Sequence, residues 1–79
     1  MVVKFVCTTD DKQKYHKIKE LIFFSRATIM REKIREMRDE YFAEFEIVSY
    51  GRYLYRELKD SGLCKHLRLD PNLVDEEGD

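Results

Sequence analysis

Glycine and proline are nearly missing from this chain. Of its 79 residues three are Gly and one is Pro, and none of these precedes Gly51. So few breakers favour long regular elements over loops in the first part of the chain. Long apolar runs are missing as well. The longest, Leu21 to Phe24, has four residues, far short of the ~20 that a membrane-crossing helix needs. The opening MVVKFVC lacks the extended apolar core and small-residue cleavage site of a secretory signal. A cytoplasmic location is the expectation. Cysteine and histidine are scarce. Cys7 and Cys64 do not make a disulfide framework and read as two reduced, partly buried thiols. With His16 and His66 they form Cys-x8-His and Cys-x-His spacings, which match neither the finger nor the ribbon pattern of zinc sites. No metal and no cofactor is expected. Neither histidine has a companion nucleophile, and no Gly-rich phosphate loop, GxSxG or HExxH is present. The chain reads as a non-enzymatic protein.

What the chain has is charge, finely mixed. Charged residues are 39% of the composition and apolar residues 43%, enough for a core beneath well-solvated surfaces. Residues 1–40 hold ten Lys/Arg and seven Asp/Glu, a balance of +3. Residues 41–79 hold five and nine, a balance of −4, and together the halves give the net −1. A basic half can meet an anionic partner, while the acidic end favours solubility. A single domain of this size exposes much of its surface, so a homodimer or docking on a larger protein is expected to enlarge the core.

Val2 to Cys7 is β-rich, with Val3, Phe5 and Cys7 on one face and Val2, Lys4, Val6 and Thr8 on the other. A lone strand must pair with something. Thr8, Thr9 and Asp10 offer caps for a first helix over about 11–24, whose stripe is Tyr15, Ile18, Leu21 and Ile22. Met30, Ile34, Met37, Tyr41 and Phe45 recur every three or four residues and predict a second helix, capped by Ser25 or Thr28. Residues 44–50 fit two patterns: the end of that helix, near Ile47, or a strand able to pair with Val2–Cys7. Ser49 caps a third helix, Tyr50 to about Asp60, with Tyr53, Leu54 and Leu58 inward and Gly62 just past its end. The expected architecture is a mostly helical α+β domain over 1–69, an N-terminal strand followed by about three helices. A flexible, disordered acidic tail follows over 70–79.

The block formed by Val3–Thr8, the helix over 11–24 and the run S25-R26-x-x-x-M30-R31-E32-x-I34-R35-E36 resembles the ribbon-helix-helix family of small dimeric DNA-binding proteins. The resemblance covers about residues 2–43. It implies two chains pairing their strands into a ribbon that enters the major groove, as a transcription regulator does. Lys4, Val6 and Thr8 would then face the bases, and Ser25 and Arg26 would hold a backbone phosphate at the N-terminus of the second helix.

A different class of function is read from Tyr50, Tyr53 and Tyr55, interleaved with Arg52 and Arg56. Tyr and Arg are enriched where proteins anchor on one another. Tyr50, Tyr53, Tyr55 and Arg56 form the candidate interface of a protein–protein interaction module, an adaptor or inhibitor subunit. The pairing partner of Val2–Cys7 separates the two readings. Pairing with the same strand of a second chain fits DNA binding, and pairing with 46–50 of its own chain fits the interaction module.

Overall fold

The first strand does not wait for a second chain. In the computed structural model, which describes residues 2–69, β1 (Val2–Thr9) lies between two strands of its own chain. On one side it pairs antiparallel with β3 (Glu40–Tyr50), Phe5 opposite Ile47 and Val2 opposite Tyr50. On the other it pairs with β4 (His66–Leu69), Cys7 opposite Leu67. The remaining strand, β2 (Thr28–Met37), pairs antiparallel with β3 and forms the far edge among the described residues. The helices α1 (Lys12–Phe24) and α2 (Tyr53–Ser61) complete the order β1-α1-β2-β3-α2-β4, and the sheet order is β2-β3-β1-β4. This is the split βαβ arrangement, ferredoxin-like in its topology. The flexible tail expected over 70–79 lies outside the described residues.

The mostly helical expectation is overturned, with 49% of the structure in strands and 32% in helices. The second helix, read from a Ser25 or Thr28 cap to near Ile47, is instead the β2–β3 hairpin, turning at Arg38 and Asp39. Three features hid it. A bulge falls between Ile29 and Arg31 and breaks the strict alternation that marks a strand. The inner face of β2 after the bulge carries Glu32 and Glu36 beside Ile34, because it meets lysines of α1 rather than a greasy wall. Lys19 pairs with Glu32 at 3.5 Å and Lys12 with Glu36 at 3.6 Å. The turn offers no Gly, and neither Arg38 nor Asp39 adopts positive φ, so the Asn-Gly signal of tight hairpins is missing. Residues 44–50 are strand, the alternative that pairs them with β1.

Among the described residues, helices cover one face of the sheet. Val3, Phe5, Cys7, Ala43, Phe45 and Ile47 point to that face and are nearly or fully buried against Tyr15, Ile18 and Ile22 of α1 and Leu54 and Leu58 of α2. Tyr15 stacks on Phe45, ring centroids 5.3 Å apart, and Tyr55 meets Phe5 edge-on at 5.5 Å. Thus α1 covers the β3 side and α2 the β1 side. Asp11 caps α1, its carboxylate accepting from the backbone N–H of Gln13 at 2.8 Å and of Lys14 at 3.3 Å. Gly62, at φ 69°, ends α2 in the left-handed conformation expected of it. Ser49 does not cap α2. It is a buried β3 residue whose hydroxyl donates to the Gly51 carbonyl at 3.1 Å, and the cap position is Arg52, without a side-chain bond.

The two cysteines are joined, contrary to the expectation of free thiols. Cys7 of β1 and Cys64, just before β4, form a disulfide with Cα atoms 5.6 Å apart. Beside it the Lys65 N–H donates to the Thr8 carbonyl at 2.6 Å and Lys65 pairs with Asp10 at 3.1 Å. The bond fastens the shortest strand to the sheet.

Candidate functional site

An aromatic cluster stands exposed at the end of the molecule where α1 stops, β3 stops and α2 begins. Its first part comes from how α1 terminates. Ser25 is the C-cap, Arg26 takes the left-handed conformation at φ 58°, and Ala27 returns to the core edge. The Ala27 N–H donates to the Ile22 carbonyl at 3.2 Å and the Arg26 N–H to the Phe23 carbonyl at 3.1 Å, the bonding of a Schellman motif. The helix therefore stops one residue past Phe24, with Phe23 and Phe24 turned outward. They are 81% and 78% exposed and meet edge-on, centroids 6.3 Å apart. Only Ile22 and, in part, Leu21 of this apolar run turn inward.

The second part comes from the β3–α2 connection. Tyr50 is the last residue of β3, Gly51 follows at φ 75°, where a side chain would strain the backbone, and Tyr53 opens α2. Tyr50 is 83% and Tyr53 63% exposed. Phe24, Tyr50 and Tyr53 share the wall of an open groove of about 310 Å3, with Leu21 and Leu54 also lining it. Glu57 sits at its rim, and its carboxylate beside the Tyr53 hydroxyl raises that phenol above its ordinary pKa.

The residues read as a protein interface divide here. Tyr50 and Tyr53 join the aromatic end. Arg56 is exposed on α2, lining a shallow surface with Arg52 and Tyr53. Tyr55 turns inward, half-buried against Phe5. Sequence reasoning did not assign Phe23 and Phe24 to the site. Their adjacency was the available signal, since two neighbours on a helix point about 100° apart and only a wide contact buries both.

The residues read as facing DNA fall into two groups, Ser25 and Arg26 beside Phe23 and Phe24 at the aromatic end and Lys4, Val6 and Thr8 on β1. Lys4, Val6 and Thr8 point to the helix-free face, but from a central strand. Val6 and Thr8 are only 7% and 8% exposed. Directly opposed residues share a face, so Val6 sits between Glu46 and Arg68 and Thr8 between Glu44 and His66. Ser25 and Arg26 follow the C-terminus of α1 and precede a strand. That end of a helix presents carbonyls and negative potential, the reverse of a phosphate site. The two groups do not meet.

The helix-free face is striped by charge. Arg31, Lys33 and Arg35 on β2 run beside Glu40, Glu44 and Glu46 on β3. Arg31 and Glu46 approach to 3.6 Å. Two aromatics, Phe42 and Tyr50, lie on the β3 column of this face, about 27 Å apart at ~3.4 Å per residue. Among the described residues no group of three His, Cys, Asp or Glu is placed to hold a metal ion, and no helix is long and apolar enough to cross a membrane. The chain matches no known protein-family model and no curated protein.

Proposed function

We propose that this chain is a non-enzymatic protein–protein interaction module whose docking surface is the aromatic end formed by Phe23, Phe24, Tyr50 and Tyr53. One observation carries the reading: four large aromatic residues, 63% to 83% exposed, gather at one end, Phe23 against Phe24, and Phe24 with Tyr50 and Tyr53 around one groove. Each such side chain buries ~150–250 Å2 when enclosed, so the cluster offers on the order of 500 Å2, the size at which exposed apolar patches commonly mark interaction sites. Burying it gains roughly 25 cal/mol per Å2 before the costs of association. The occupant is an apolar segment of a second protein, laid across the groove between Phe24 and Tyr53.

Nucleic acid is less well supported. The acidic β3 column interrupts the basic one on the open face, and the separation of Phe42 from Tyr50 leaves no stacking platform of the kind that sheet-based RNA binders use. The strand expected to form a DNA-reading ribbon is paired on both sides within its own chain.

A photo-crosslinking side chain at the Phe24 position, in the cells that make the protein, tests the proposal. A discrete crosslinked protein is expected, and its loss in a Phe23→Ser/Tyr50→Ser/Tyr53→Ser background whose melting temperature is unchanged. Crosslinks that persist without the aromatics would defeat it.

The cytoplasmic location expected from the sequence enters this reading with a condition. Disulfides are rare in reducing compartments, so in a cytoplasm of ordinary redox poise Cys7 and Cys64 are reduced. Thiol trapping on protein taken directly from its cells, followed by mass measurement, separates a bonded pair from a reduced one.

A further inference from the structure

The free edge of β2 is the second surface with a chemistry of its own. We infer that this edge accepts an extended, acidic segment of a partner protein as a fifth strand. Among the described residues β2 pairs with β3 on one side only. Along its other side every second backbone N–H and C=O has no ladder partner among the described residues, which makes an edge strand a template for another chain.

The side chains select the occupant. Past the bulge, Arg31, Lys33 and Arg35 alternate on the helix-free face and all are exposed. Arg31 reaches Glu46, and among the described residues Lys33 and Arg35 have no carboxylate within 4 Å. The protein itself shows what suits this column, since β3 sets Glu46 opposite Arg31 and Glu44 opposite Lys33. An incoming strand with acidic residues at alternate positions repeats that pairing on the open side. The residues between its acids fall on the helix side, beside Ile34, which is 49% exposed. Glu32 and Glu36 on that side are already met by Lys19 and Lys12. The favoured segment therefore alternates acidic and apolar residues along 31–37.

A second copy is the natural rival and is disfavoured by the same column. Two β2 edges related by a two-fold axis run antiparallel with the same face up. Arg31, Lys33 and Arg35 would then oppose their own kind, and like charges directly across a strand pair repel. Edge charge commonly prevents uncontrolled pairing. Being of one sign on one face, this charge excludes a copy of the chain while selecting its opposite.

The probe is a capped peptide Glu-Val-Glu-Thr-Glu-Val-Glu, titrated into isotope-labelled full-length protein and followed by amide shifts and hydrogen exchange. Expected are perturbation and new protection along 31–37 and saturable binding. The affinity is expected to drop about tenfold or more in Lys33→Glu/Arg35→Glu and to weaken towards ~0.5 M salt as the pairs are screened. If that charge reversal lowers the melting temperature, Lys33→Gln/Arg35→Gln gives the same test with a smaller drop. Equal binding by a peptide with Lys for Glu, absence of saturation at millimolar peptide, or perturbation of β2 that follows protein concentration without peptide would each overturn the inference. A Phe23→Ser/Tyr50→Ser/Tyr53→Ser protein should bind the peptide unchanged, so failure here and failure of the aromatic docking surface are separate results.

Discussion

The phenol of Tyr15 donates a hydrogen bond to the carboxylate of Glu32, tying α1 to the edge strand β2. Lys19, one helical turn on, pairs with the same carboxylate at 3.5 Å and lies over the Tyr15 ring, 5.5 Å from its centroid. Beneath them Tyr15 stacks on Phe45. This cluster and the Lys12–Glu36 pair are the polar links between α1 and β2, which otherwise holds to the domain through β3. Replacing Tyr15 by Phe keeps the ring and removes the bond. Hydrogen bonds to charged groups contribute about 1.5–3 kcal/mol, and Glu32 keeps Lys19 and some solvent, so a loss of about 1–2 kcal/mol is expected. For a domain of this size that is a fall of roughly 4–8 °C per kcal/mol, read by thermal melting. A change smaller than ~0.5 kcal/mol would mean that the bond is not made in solution.

The same cluster sets the alkaline limit of stability. Burial, and then the bond to Glu32, raise the Tyr15 pKa above its ordinary value, burial raises that of Tyr41, and the neighbouring Tyr15 raises that of Lys19. In each case the folded state holds its proton more tightly than the unfolded state does. Their contribution is complete below about pH 10, the unfolded value for Tyr, and is lost as pH rises through the folded values. Denaturant titrations should give a flat midpoint through neutral pH and a decline above pH ~10. Tyr15→Phe should decline less. A decline of equal steepness in both proteins would remove Tyr15 as a cause.

Reduction should cost more than any surface change. The Cys7–Cys64 bond spans 57 residues of sequence. In the chain-entropy model a loop of that length restricts the unfolded state by about 4 kcal/mol, and native disulfides typically contribute 2–4. Melting with and without reductant, and of Cys7→Ser/Cys64→Ser, should show a loss in that range. β4 should exchange its amide hydrogens first, since the bond and the Lys65 contacts fasten it to β1. An unchanged melting temperature would show that the sheet holds β4 without the bond.

Arg26 occupies a position that ordinarily belongs to glycine. Its φ of 58° costs a residue with a Cβ about 1–2 kcal/mol. Arg26→Gly removes that strain and adds freedom to the unfolded chain, so a net gain of up to ~1 kcal/mol is expected. Arg26→Val, β-branched and least tolerant of this region, should lose at least ~1 kcal/mol. Urea unfolding of the pair measures both, and the same stability for the two variants would contradict the Schellman geometry.

Local signals in the chain were sufficient for some of this. The alternation of Val3, Phe5 and Cys7 placed β1 and its buried face. The spacing of Tyr15, Ile18, Leu21 and Ile22 placed α1, and Leu54, Leu58 and Gly62 placed α2 and its end, but Tyr53, read as inward, is exposed and the helix starts there rather than at Tyr50. Each of these elements buries an apolar face, and α2 ends on a glycine suited to its left-handed cap, so pattern and structure agree there. What only the tertiary structure decided is the β2–β3 hairpin, the disulfide and the site. The helix-like period through Met30, Ile34 and Met37 belongs to a strand because β2 takes its ladder from β3 and its inner-face partners from the lysines of α1. Both are outside the strand itself, one across a two-residue turn and one on the preceding helix, and neither is written in its own hydrophobicity. Cys7 meets Cys64 because β4 pairs with β1. Phe23 and Phe24 join Tyr50 and Tyr53 because one end of the sheet gathers the close of α1 and the start of α2, a juxtaposition that no local spacing encodes.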